Sequence, residues 1–563
     1  MNKMTAHYLG KYRDKFRNSA NDDFYKDMLA DVKEVYEKNR ERVFEPLSYS
    51  LWKIFSETGS RNEYQRLYFE RRGELVVCTI LYLVYGDEEY KKRLEDIIWI
   101  ICDEYSWALP AHAPIDEPLA LQQTCIDLFA AETGQALSEI YNLIGDELSN
   151  LIRERIKAEV DRRVLSPFEN SCCGWVGATN NWAAVCAAGV GMSFMYMAPE
   201  RFEAVKPQIL TAMKNFLSGY GNDGICKEGY GYWQYGFGYF VCFADMYKEF
   251  TSGREDLFDD EKVRRIAECQ QHFYLRGNIG ISASDAPQRQ RFELGITHYL
   301  AKRFDSVVIP NEKYMQMPSG SGGAYRFAKI IRDFAWSDTS LCGRSEDKKT
   351  TEFFEDAQWY VCKKERFSFA AKGGTNDEPH NHNDIGSFII ADDNGQILID
   401  IGCGEYTKDY FTPEGRYKHF CCSSLGHSVP IIDGLAQKEG IESRAEVEEH
   451  SESIFKLLIK GAYGNSTEVE RKFEISDNGV KLCDKFMFND SKKHSVTERF
   501  VTFTRPEIED GAVRIGAVTI RCKDRFTFSS ETVKTSANKI TGEIVYIIDY
   551  AADGQSFEAV FEV

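Results

Sequence analysis

The chain has 563 residues, 43% of them hydrophobic and 13% aromatic, which excludes a disordered or fibrous protein and calls for more than one core. Lys and Arg number 69 against 88 Asp and Glu. The resulting formal charge of −19 is a poor basis for non-specific binding to nucleic acid or to an anionic membrane.

In chain order, Met1–Phe16 is charged throughout and lacks the apolar run of a secretory signal. The longest apolar stretches, such as Ile97–Cys102, are too short to span a membrane. The 16 cysteines show no framework spacing and no paired C-x-x-C, so reduced thiols are expected. These features point to a soluble cytoplasmic protein with neither a nucleic-acid nor a membrane partner. Apolar residues recur three and four apart through Phe24–Val35, Leu75–Tyr85, Ala120–Leu143 and Trp182–Tyr196, which predicts helices. The charged runs Glu88–Asp96 and Arg153–Arg163 read as solvated helix faces. Short links between these segments suggest paired antiparallel helices.

The pattern changes at the polar stretch Asp338–Lys349, which suits a linker. Alternating, strand-like segments follow: Phe367–Ala371, Gly386–Ile390, Ala445–His450, Phe455–Gly461, Glu468–Ile475, Val480–Phe488, Val513–Cys522 and Ile544–Tyr550. Turns such as Asp477-Asn478-Gly479 separate them. The expected organisation is a helical domain over 1–335 followed by an antiparallel β-sandwich over 350–563.

Three segments could carry chemistry. Thr179-Asn180-Asn181-Trp182 opens a helix and reads either as an N-cap or as a set of amide donors. Glu228 to Gly236 (EGYGYWQYG) sets large aromatics among glycines, which fits either a buried ladder or a sugar-stacking surface; on a helix Tyr232, Tyr235 and Tyr239 share a face. His380-Asn381-His382 precedes a strand, and on an extended segment both imidazoles would face the same side. Asp400 and His427 follow, and His382, Asp400 and His427 form a plausible nitrogen and oxygen ligand set for zinc. Surface histidines with a hydrogen-bonded Asp are the alternative.

Together these segments resemble the heparinase II/III-like polysaccharide lyases, which act on glycosaminoglycans and alginate. The matching pieces are TNNWAAV, EGYGYWQYG, HNHNDIGSF, ILIDIGCGEY and GHSVPIIDG, with a weaker IDLFAAETG at Ile126–Gly134, in family order across Trp107–Gln437. The resemblance implies an incomplete α/α toroid followed by an antiparallel β-sandwich, with the active site in the cleft between them. It also implies β-elimination on a 4-linked uronic acid: the C5 proton leaves, O4 departs protonated, and the product carries a C4–C5 double bond.

On this resemblance Tyr235 is the general acid, and Asn181 and His380 neutralise the uronate carboxylate. Some relatives place a histidine base near Asn181. Thr179, Asn180 and Asn181 stand there instead, which favours Tyr235 as both acid and base. His382, Asp400 and His427 match the family's zinc ligands, and the zinc is expected to be structural. Trp107, His112, Gln122 and Gln123 fall in a segment that lines the cleft of relatives. The expected substrate contacts are His112, Gln123, Asn180, Glu228, Trp233, Tyr406, Arg416 and Tyr417. A toroid glycoside hydrolase using Asp127, Glu132, Asp223 or Glu228 is a competing reading. A non-catalytic glycan-binding protein is another.

Overall fold

The computed structural model describes residues 8–320, 324–342, 349–535, 541–552 and 554–563. The chain divides into two compact units. The first takes the described residues of Met1–Gly219, Tyr232–Ala267 and Arg291–Arg344; the second takes those of Tyr220–Gly231, Glu268–Gln290 and Ser345–Val563. Of the expected linker Asp338–Lys349, residues 343–348 lie outside the described residues.

The first unit is helical, with neighbouring helices paired as in a partial α/α toroid. Asn62–Tyr85 turns at Gly86 into Glu88–Cys102; Leu128–Ile144 packs on Asn181–Met197, which continues almost directly into Pro199–Ser218. Helix Asn181–Met197 is apolar all round, as an inner helix must be, and fifteen of its residues, Asn181 among them, are buried. Its closeness to Leu128–Ile144 depends on Gly189, where a Cβ would lie 2.6 Å from the Ala131 carbonyl oxygen. The pattern read as one helix over Ala120–Leu143 is two. Asp127 interrupts it and caps the second, its Oδ1 accepting the Ala130 N–H at 2.7 Å. Nor is Arg163 on a solvated face: it is 3% exposed and donates to the carbonyls of Cys102 and Glu104, at the C-terminal end of helix Glu88–Cys102.

Among its described residues the second unit contains antiparallel sheets of nine, five and four strands and a two-stranded ribbon, Tyr274–Arg276 with Ile279–Gly280. The nine-stranded sheet runs, in spatial order, Glu507–Glu509, Ala512–Ile515, Val518–Arg521, Ser556–Glu562, Gly479–Phe488, Thr467–Ser476, Ile454–Lys460, Gly440–His450 and Thr375–Asn376. Thr467–Ser476 alternates buried and half-buried residues along most of its length, the signature of a strand with one face on the core. The segment read as one strand over Val513–Cys522 is a hairpin turning at Gly516.

Phe388 joins the sheets. It lies on the five-stranded sheet (Thr350–Phe354, Trp359–Lys363, Ser368–Lys372, Phe388–Ala391, Gln396–Leu398). Its ring packs 5.2 and 5.5 Å from Phe473 and Phe561 of the nine-stranded sheet, and 6.1 Å from Phe500 of the four-stranded one. All 16 cysteines are unbonded. Among the described residues no helix is long and apolar enough to cross a membrane.

Candidate functional site

The EGYGYWQYG segment runs from the second unit into the first, where it places Tyr235 on a π-helical turn, Trp233–Phe237, that leads into helix Gly238–Phe250. Such turns carry one extra residue and re-aim a side chain. Tyr235 and Tyr239 stay in ring contact at 5.8 Å and are buried, whereas Tyr232 is half-buried. The Tyr235 hydroxyl donates to Glu132 Oε1, and the Arg326 guanidinium pairs with the same oxygen. Arg326 also lies over the Tyr235 ring, 3.3 Å from its centroid. Burial pushes the Tyr235 phenol well above its ordinary range; Arg326 pulls it down and Glu132 pushes it up. The resting group is therefore a neutral phenol, suited to giving a proton and not to taking one.

Asn181 is buried and packs against the turn: a Cβ on Gly236 would lie 3.2 Å from the Asn181 Cα and 2.8 Å from the Phe216 ring. Asn180 is the helix N-cap, its Oδ1 accepting the Trp182 N–H at 3.1 Å. Trp233 is not placed to meet a ligand. It is 2% exposed, and its indole N–H donates to the Ile266 carbonyl at 2.7 Å. Trp107 is likewise buried, donating to the Ile101 carbonyl. Gln122 ties the carbonyls of Ile115 and Glu117, and Gln123 is half-buried beside it. His112 is half-buried, with Nδ1 2.8 Å from Asp127 Oδ2 and its ring edge-on to Trp182.

The second unit gathers its polar groups on a carboxylate that spacing gave no reason to single out, Asp285. It is buried and receives His380 Nδ1 at 2.6 Å, Tyr410 OH at 2.5 Å, Tyr406 OH at 3.0 Å and His382 Nε2 at 3.3 Å; Arg416 Nη2 lies 3.6 Å away. Burial raises its pKa, but the hydrogen bonds from His380 and His382 and the charges of His380 and Arg416 outweigh this and hold it well below the usual carboxylate range. The His380 segment is not extended: His380 has φ +56°, in the left-handed region, and lies in a turn ahead of strand Phe388–Ala391. The two imidazoles converge because Asp285 holds them, not because a pleat aligns them.

Arg416 donates its Nε–H to the Asn381 carbonyl at 2.9 Å and stacks over Tyr410, while its Nη2 is buried without a hydrogen-bond partner among the described residues. Tyr417 OH lies 3.5 Å from Asn381 Nδ2. Glu228 is buried 3.9 Å from His380 Nε2; burial raises its carboxyl, His380 lowers it and Asp285 raises it.

Beside this network, ligand atoms of His382, Asp400 and His427 lie within 4.8 Å of one another, all buried. The His427 Nε2–H donates to the Cys421 carbonyl at 2.8 Å, which leaves Nδ1 as the lone pair, 3.6 Å from Asp400 Oδ2. His382 turns Nε2 to Asp285, which frees its Nδ1 in the same way. Both Nδ1 atoms are buried without a hydrogen-bond partner. Two oriented lone pairs and a carboxylate, each otherwise costly to bury, fit a divalent metal. Arg471 braces the loops from behind, donating to the Gly386 and Ser428 carbonyls at 3.0 Å while paired with Asp484 and Glu498.

Residues 346–552 match the sequence model of the family described as Heparinase II/III-like, C-terminal. That C-terminal stretch resembles the heparinase II/III-like domain. The resemblance read from the motifs is thereby borne out, and so is the fold class. No curated protein matches the chain in sequence. Among solved structures it is similar to heparinase III (TM-score 0.62, 13% identity, covering 90% of this chain and 78% of that one). It is also similar to a mutant of the heparan sulfate lyase HepC from Pedobacter heparinus (0.61, 13%, 99% and 88%). A third is the chondroitin AC lyase of Streptomyces coelicolor A3 in complex with chondroitin sulphate (0.54, 10%, 98% and 82%). At these identities the likeness is one of fold.

The matched stretch contains His380, His382, Asp400, Tyr406, Arg416, Tyr417 and His427 but not Asp285, which the second unit draws from Glu268–Gln290. Sequence reading missed Asp285 and Arg326 altogether. Glu132 lay in the weakest matching piece and was weighed only as a hydrolase carboxyl group.

Proposed function

We propose that the protein is a polysaccharide or oligosaccharide lyase that cleaves 4-linked uronic-acid glycans, of glycosaminoglycan or alginate type, by β-elimination. The observation that carries this reading is the neutral Tyr235 phenol held by Glu132 and Arg326, on a turn whose Gly236 packs against the backbone of the buried Asn181. Tyr235 donates its proton to the departing O4, and the phenolate left behind is stabilised by the guanidinium over its ring. Asn181 donates to the uronate carboxylate. His380, held through Nδ1 by Asp285 in the second unit, is the further residue to which the motif resemblance gives a part in neutralising uronate charge. Asp285 in turn fixes the His380 ring, and His380, His382 and Arg416 keep it ionised.

His382, Asp400 and His427 would hold a zinc ion, whose contribution when bound is to cross-link the His380 loop to two neighbouring segments. Protein purified without added metal should contain about one zinc per chain, and chelation should lower its unfolding midpoint. Metal-free protein with a midpoint indifferent to chelator would refute the assignment.

The function is tested with heparan sulfate, chondroitin, hyaluronan and alginate oligosaccharides. The expected result is growth of ultraviolet absorbance from the unsaturated uronate, with product masses summing to that of the substrate. Products heavier by one water identify a hydrolase and sink the reading.

A further inference from the structure

We infer that His112, oriented by Asp127, is the general base that removes the C5 proton in the first unit, leaving Tyr235 as the acid alone. The inference rests on the lyase reading above and extends it to a residue with no catalytic role assigned so far.

A base is needed that is unprotonated near neutrality, accessible, and able to hold a proton once it has one. A free phenol ionises near 10 and a free imidazole near 6.5, so at neutral pH only about one phenol in a thousand is a base while most imidazoles are. Tyr235 is worse than a free phenol, because burial and its hydrogen bond to Glu132 favour the neutral form. Glu132 is also committed, its Oε1 serving Tyr235 and Arg326 together.

His112 has the geometry of such a base. Its Nδ1 lies 2.8 Å from Asp127 Oδ2, a carboxylate that can only accept, so Nδ1 carries the hydrogen and Nε2 the lone pair. Among the described residues Nε2 has no hydrogen-bond partner, and the side chain is 13% exposed. Asp127 is itself fixed by the N–H groups of Ala130 (2.7 Å) and Leu109 (3.2 Å), so the pair is rigid before substrate arrives. The buried carboxylate then stabilises the imidazolium that forms.

Its position fits as well. The imidazole stands edge-on to Trp182 at 4.9 Å, and Trp182 directly follows Asn181. On its other side the ring stacks on Phe129 at 5.9 Å, and Phe129 lies under the same Arg326 guanidinium that covers Tyr235. Carboxylate donor, base and acid thus belong to one packed cluster. The step balances: Nε2 takes the C5 hydrogen as a proton, and the C5–H electron pair becomes the C4–C5 double bond. The C4–O4 bond breaks, and O4 leaves with the Tyr235 proton. His112 then returns its proton to solvent and Tyr235 recovers one.

The test compares wild type, Tyr235→Phe, His112→Ala and Asp127→Asn on the best uronate oligosaccharide of the panel, with folding checked by circular dichroism. His112→Ala should lose roughly 10²- to 10⁴-fold in kcat at a nearly unchanged KM, and added imidazole should restore part of it. Asp127→Asn keeps a helix-capping acceptor and removes the charge, so it should lower kcat by a smaller factor without raising KM. His112→Ala turnover within about threefold of wild type, with Tyr235→Phe inactive, overturns the inference while sparing the lyase reading. Loss that imidazole does not rescue, or that appears only in KM, also overturns it. A wild type inactive on every uronate overturns the lyase reading itself.

Discussion

Tyr235→Phe is expected to cut kcat by roughly 10²- to 10⁴-fold, the range that a positioned proton donor supplies, while leaving the protein folded. The two halves of this expectation have separate causes. The phenyl ring keeps its packing against Tyr239 and under Arg326. Glu132 loses one donor but remains paired with Arg326, so no buried charge is stranded. The stability cost is that of one hydrogen bond, about 1 kcal/mol. The leaving O4, by contrast, would have to depart as an alkoxide. Ultraviolet absorbance of the product and a thermal melt, measured together, check both halves. A variant turning over near the wild-type rate would remove Tyr235 from the mechanism.

Asp285→Ala should be the more damaging change for stability, costing about 3–5 kcal/mol, because it removes the one carboxylate on which two histidines, an arginine and two hydroxyls depend. Asp285→Asn, which keeps an acceptor oxygen, should cost less. The dependence on pH has a definite sign. Asp285 is held well below its ordinary range in the fold, so its contribution is present above the unfolded carboxylate value near 3.9 and is lost as pH falls through the folded value. Denaturant unfolding of wild type and Asp285→Ala across the acid range should therefore give a gap that closes as pH falls. A gap that instead widened with acidification would mean that Asp285 is not ionised in the fold.

The split into helices and strands was legible because it rests on periodicity. Helix Asn181–Met197 and strands Thr467–Ser476 and Gly479–Phe488 lie within a residue or two of where the apolar pattern put them. Tyr235, Asn181 and the His382, Asp400 and His427 group were legible because each lies in a dense local motif. What was hidden is what distant segments contribute. Asp285 stands in an undistinguished loop, 95 residues before His380, and nothing local marks it as the anion that both histidines need. Arg326 is 194 residues from the Glu132 it pairs with. His380 misled in its geometry: a period of two presumes a strand, and the left-handed turn there obeys the carboxylate instead.

The second unit is written in three instalments, with Tyr220–Gly231 and Glu268–Gln290 spelled out inside the helical sequence well before the stretch that the family model recognises. A cut at the polar linker would give two polypeptides, neither self-sufficient. The C-terminal piece would hold His380, His382 and Arg416 without the carboxylate that disciplines them, and the N-terminal piece would trail Glu228 and Asp285 as orphans. The chain therefore cannot be traded as interchangeable modules. An insertion or recombination that respects the apparent sequence boundary would part Asp285 from the histidines and hydroxyls it holds.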